Sequence, residues 1–153
     1  MHKRDIVNDT LIAQKLIPAV RTADASSTGL DRQGYASAAL VVSLGNSADT
    51  LSGTVYVEVK IEDSPDNSVW TACAAAALVI PENAPTGVAA PASLGLIYTC
   101  DAPTEDSLDI LVGYVGSERY VRATLDFTGT HTTGIPCAVH GILADPQFAP
   151  AGS

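Results

Sequence analysis

The sequence predicts an all-β protein: an antiparallel β-sandwich, jelly-roll-like and of about eight strands, preceded by an N-terminal arm or short helix. Three observations predict it. Apolar runs rich in β-branched residues recur at regular spacing, each bounded by Gly, Pro, Asn, Asp or Ser clusters. Two of these runs alternate strictly between apolar and polar residues, the signature of a strand with one wet face. Beyond the first residues, apolar positions do not recur at helical spacing. Strands that follow one another without crossover helices pair antiparallel, and their apolar faces must be covered. Two packed sheets or a closed barrel follow.

Residues 1–21 form the arm. Ile6, Val7, Leu11 and Ile12 share a face if 5–15 is helical, but the step Ile17-Pro18 forces an extended backbone at its end. The segment is therefore a short helix or an extended arm. It carries a net charge of +2, from Lys3, Arg4, Lys15 and Arg21 against Asp5 and Asp9, while the rest of the chain carries −11. Strands are expected at 16–21, 36–44, 53–62, 69–80, 94–99, 108–115, 119–128 and 136–144. In 55–62, Val55, Val57, Val59 and Ile61 alternate with Tyr56, Glu58, Lys60 and Glu62. In 119–127, Val121, Ala123, Leu125 and Phe127 alternate with Tyr120, Arg122, Thr124 and Asp126. The alanines of 72–77 permit a helical turn, but Val69-Trp70-Thr71 before them and Leu78-Val79-Ile80 after them favour a strand. Alanine removes little area from water, so neighbouring backbones must approach closely or another subunit must add burial. The turn residues of 63–67 make 55–72 a hairpin with Trp70 returning to the core face. The stretch 113–120 reads as a second hairpin, around Gly-Ser-Glu. Long connections at 45–52 and 81–93 offer contact surfaces. Residues 22–146 make up the sandwich domain and 147–153 an extended tail.

Composition narrows the function. With 46% hydrophobic and 16% charged residues the chain folds, and its formal charge of −9 repels nucleic acid. No apolar run approaches the length of a bilayer-spanning helix and no signal-peptide pattern opens the chain, so a soluble, non-exported protein without a membrane partner is expected. Cys73, Cys100 and Cys137, odd in number and widely spaced, suit buried, reduced thiols. Cys137 and His140, with His131 nearby, offer metal-ligand types. On a strand, however, positions i and i+3 point to opposite faces, and no second pair completes a tetrahedral set. The acidic run 62–68 lacks the glycine and terminal glutamate of a calcium loop and reads as a turn. No nucleophile elbow, dinucleotide fingerprint or phosphate loop occurs. We therefore expect no enzyme, no cofactor and no catalytic residue. An outward Arg122 in so acidic a body needs a carboxylate partner, with Asp109 and Asp126 the candidates. The hydroxyl-rich loop 128–134 is expected to cap its own backbone.

Two segments carry a resemblance. The 55–72 segment, with the run VEVKIEDSPDNSVWTA, resembles the strand, acidic turn and Trp-Thr pattern of β-sandwich proteins of tailed bacteriophages, and of some carbohydrate-binding sandwiches. The segment GYVGSERYVRATLDFTGTHTTGIPCAVHGILADP, 113–146, resembles the C-terminal half of small structural proteins encoded in phage and prophage morphogenesis regions. This resemblance implies a virion component. Among such components, a capsid decoration or cement protein suits the small acidic body and basic arm best. It would be located on the outside of the shell and assembled in the host cytoplasm. The major capsid protein would be its partner, and its copies would associate as a trimer or other ring. Trp70 and Tyr120 would be sandwich anchors and Arg119 and Arg122 shared structural positions. Lys3, Arg4, Ile6, Leu11 and Lys15 would be the partner-binding arm. Head-spike, neck or tail components are the alternative within that class. A carbohydrate-binding module stacking sugar on Trp70 with Tyr56 or Tyr98 is the alternative outside it.

Overall fold

The computed structural model describes residues 6–147; Lys3, Arg4 and residues 148–153 of the expected tail lie outside them. The elements are β1 (Thr10–Arg21), β2 (Ala25–Ser26), β3 (Leu30–Asp31), β4 (Tyr35–Leu44), β5 (Tyr56–Ser64) and β6 (Thr71–Ala72). After a 3-10 turn at Ala75–Ala77 come β7 (Leu78–Val79), β8 (Leu96–Cys100), β9 (Leu108–Tyr114), β10 (Tyr120–Thr128) and β11 (Ile135–Pro146). One sheet runs β1-β11-β4-β9-β7. The other runs β2-β10-β5-β6, with β3 also on β10 and β8 also on β5. Every pairing is antiparallel. With β2 and β3 taken as one interrupted strand, the long strands alternate between sheets in the jelly-roll order: β1-β11-β4-β9 faces β2/β3-β10-β5-β8.

The alternation seen in the sequence builds the core. Val57, Val59 and Ile61 of β5 and Val121, Ala123 and Leu125 of β10 are fully buried. So are Val42 of β4, Ile110 of β9 and Val139 of β11, from the facing sheet. Each such valine, leucine or isoleucine contributes about 1.5–3 kcal/mol by leaving water. Their partners across each strand's pleat face outward, which is why Glu58, Lys60, Glu62, Arg122 and Asp126 line the outside of the second sheet.

Two expectations of local structure are revised, one open choice is settled and one hairpin forms as expected. Of the two readings of 5–15, the extended one holds: residues 6–9 form a turn and β1 starts at Thr10, joined along its length to β11. Register shifts between Gln14 and Leu16 and between Leu16 and Ala19 let the strand pass Pro18, which has no N–H for the ladder. The strand expected at 69–80 divides. β6 pairs with β5 in one sheet, β7 pairs with β9 in the other, and the alanine turn carries the chain between them. Small side chains allow that tight crossing, and the helical preference of alanine prevails locally. The 55–72 hairpin forms, through Glu62 opposite Ala72. The 113–120 segment is no hairpin: β9 lies between β4 and β7, β10 lies against β5, and the turn between them joins the two sheets.

Candidate functional site

The expected anchors gather on the outer face of the second sheet. Register places Arg122 of β10 opposite Glu62 of β5, and its Nε and Nη2 reach Glu62 Oε2 at 2.7 and 2.6 Å. Glu62 is thus the partner of Arg122, in place of Asp109 or Asp126. Asp109 lies on the other sheet, accepting a hydrogen bond from Ser43 Oγ, and Asp126 takes Lys60 Nζ at 2.7 Å. Lys60 also meets Glu58 at 2.8 Å. Partial burial opposes its charge, but the bonds to Asp126 and Glu58 outweigh that and raise the ammonium to about 12. The guanidinium of Arg122 stacks 4.3 Å from the centre of the Trp70 ring. Trp70 is accordingly half-buried on this outer face and absent from the core, a correction to its expected direction. A short polar turn brings it there: the Asp66 carboxylate accepts from the N–H groups of Ser68 and Val69 and from Ser64 and Ser68 hydroxyls. Those backbone donors, with the hydroxyls, hold Asp66 far below the ordinary carboxylate range.

Arg119 grips Asp31 of β3 with both prongs, Nε to Oδ1 at 2.9 Å and Nη2 to Oδ2 at 2.7 Å, and lies 5.0 Å from the Tyr120 ring centre. Between the sheets, the buried Tyr114 of β9 donates its hydroxyl to Asp63 Oδ2 of β5 at 2.8 Å and accepts from Glu118 N–H. Arg32 covers its ring at 5.2 Å. A Cβ on Gly116 would stand 2.4 Å from the Tyr114 hydroxyl, so only glycine lets this turn close over it.

At the opposite end, Asp49 receives the N–H groups of Thr132, Thr133 and Gly134 at 3.1, 2.8 and 2.6 Å. The donors on Thr133 and Gly134 lead in lowering its carboxyl. The buried His131 stands beside it, its Nε2 donating to Thr128 O at 3.1 Å. The hydroxyl-rich loop is thereby capped from outside by an aspartate more than eighty residues earlier, with no local sequence signal.

Cys137 faces the core and His140 the outside of the first sheet, as the strand period requires. Among the described residues no group of three or more His, Cys, Asp or Glu is placed to hold a metal ion. The three thiols are free and buried. Burial, with Asp106, Glu105 and Asp101 adding to it, pushes Cys100 up to about 12. Cys73 lines a cleft of about 470 Å³ with Asp63, Thr71 and Glu118, and burial raises its thiol too, away from the nucleophilic form. Of the arm residues, Ile6 is 73% exposed, Leu11 packs against the core, and Lys15 Nζ donates to Gly29 O at 3.1 Å. Neither Tyr98 nor Tyr56 joins Trp70 in a stacking platform: Tyr98 is buried with its hydroxyl on Glu105 O, and Tyr56 lies about 20 Å of strand from the Trp70 end of β5.

No protein-family model and no curated protein matches the sequence. Among solved structures, the SPBc2 prophage-derived protein YomS is similar at a TM-score of 0.45. The identity is 14%, and the alignment covers 90% of this chain and 94% of that one.

Proposed function

We propose that this chain is a non-catalytic structural component of a tailed-phage virion, a capsid decoration or cement protein. In this reading it binds the outside of the shell, bridges copies of the major capsid protein, and associates with further copies of itself. It needs no cofactor, nucleic acid or membrane, and it assembles in the host cytoplasm. The observation that carries the reading is how the polar side chains are used. Asp31, Asp49, Asp66, Tyr114, Arg119 and Arg122 spend their hydrogen bonds on this chain's own backbone and strands. Such a molecule is braced throughout and meets partners through its faces and loops. The two phage-like segments support the same class. The basic Lys3 and Arg4, followed by the exposed Ile6, suit an extension onto a neighbouring subunit.

Quantitative mass spectrometry of purified particles from the source culture tests the reading. A copy number comparable to that of the major capsid protein is expected. A small fixed ratio would move the chain to a head-spike, neck or tail position. Complete absence from particles would overturn the virion reading.

A further inference from the structure

The two outer faces of the sandwich differ in kind. All the large hydrophobic residues that are exposed within strands, Ile12, Ile17, Val20, Val79 and Leu111, belong to the first sheet. Register lines up one ladder of Ile12, Ile142, Ala39, Gly113 and Val79 across β1, β11, β4, β9 and β7. A second ladder holds Gln14, His140, Val41 and Leu111. None of these residues is Asp, Glu, Lys or Arg. Acidic groups stand at the two ends of the face, Asp145 bonded to Ser37 Oγ and Asp109 bonded to Ser43 Oγ, so an apolar centre has a polar rim.

We infer that this face binds a second copy of the chain, sheet against sheet, about a two-fold axis. Three arguments select that occupant. The molecule carries −9 overall, and the two ladders at the centre of this face let two copies meet there without bringing like charges together, the carboxylates staying at the solvated rim. A basic partner would be drawn instead to the acidic surfaces elsewhere. At about 3.4 Å per residue and about 4.8 Å between strands, β1, β4, β9 and β11 present on the order of 700 Å² per copy. A standard interface buries about 800 Å² per partner. Ala39 and Gly113 at its centre let two sheets approach to the ~10 Å of packed layers. Strand addition at the edge is disfavoured. β1 is broken by two register shifts and Pro18, its Lys15 carbonyl is taken by Thr28 N–H, and Arg21 Nη2 is bonded to the Ile17 carbonyl. Contact is therefore through the face. This inference does not depend on the virion reading.

Analytical ultracentrifugation of the full chain tests it. The wild type is expected at twice its 15.7 kDa mass in the micromolar range. Leu111→Asp, at the β9 end of the second ladder, is expected to weaken association at least tenfold and give the single-chain mass with an unchanged circular dichroism spectrum. Thr99→Asp, on the outer face of the other sheet, is expected to leave the pair intact. Should Leu111→Asp not fold, Ile12→Asp at the margin of the same face provides the same readout. A wild type at the single-chain mass throughout would overturn the inference. A folded Leu111→Asp that still pairs would overturn it too.

Discussion

At the scale of single residues, the most consequential group is the Tyr114 hydroxyl. It reaches from β9 in one sheet to Asp63 on β5 in the other and also takes the Glu118 N–H, so it fastens both sheets and the turn that joins them. Tyr114→Phe keeps the ring under Arg32 but strips one carboxylate oxygen and one N–H of their partner. A loss of about 1–3 kcal/mol is expected, the cost of leaving such groups unpaired near the interior. Urea unfolding of the variant measures it, and a midpoint equal to that of the wild type would show that water replaces the hydroxyl. Trp70 shows the same economy. Its ring is held between an acidic turn and the Arg122 guanidinium, so the residue serves the surface layer rather than the core.

At the scale of elements, β1 decides how much of the N-terminus is dispensable. Residues 6–9 form only a turn, whereas Leu11, Ala13 and Leu16 pack on the core and pair with β11. Removing residues 1–8 is expected to change the thermal midpoint by less than about 2 °C, since the described residues among them, 6–8, belong to no strand and not to the core. Removing 1–15 is expected to lower it by at least about 8 °C, the loss of a few kcal/mol at roughly 2–4 °C per kcal/mol for a domain of this size. Equal midpoints for the two truncations, read by thermal circular dichroism, would deny β1 this role. The long strands were legible because their alternation survives in the residues: 55–62 and 119–127 became β5 and β10 with ends shifted by at most a few positions. The rest was not legible, for physical reasons. β2 and β3 have two residues each, too few to show a period. Within 72–77 every side chain but Cys73 is alanine, so no contrast of size marks where the chain leaves one sheet for the other. That Arg122 meets Glu62 is a fact of cross-strand register, and that Asp49 caps Thr133 is a fact of topology. Neither is written in neighbouring residues.

For the whole molecule, carboxylates spread over both ends carry one prediction. Asp31 is lowered first by Arg119, Asp49 by the N–H groups of Thr133 and Gly134, and Asp66 by those of Val69 and Ser68. Each binds its proton less readily folded than unfolded, where an aspartate titrates near ~3.9, so stability is complete above about pH 5 and drains away as pH falls through that range. The urea midpoint is expected to be level from pH 8 to about 5 and to drop steadily below about 4; a midpoint unchanged down to pH 2 would contradict it. A different consequence follows from β1 lying beside β11. On a ribosome adding about 5–20 residues per second, the strand made early emerges long before the one that completes its ladder. Until Pro146 clears the exit tunnel, Ile12, Leu16 and Ile17 stand without a neighbour, and the nascent chain must be kept from other chains. Completion of the first sheet therefore waits on the last strand made, and the yield of this fold in a cell is set by how well that interval is guarded.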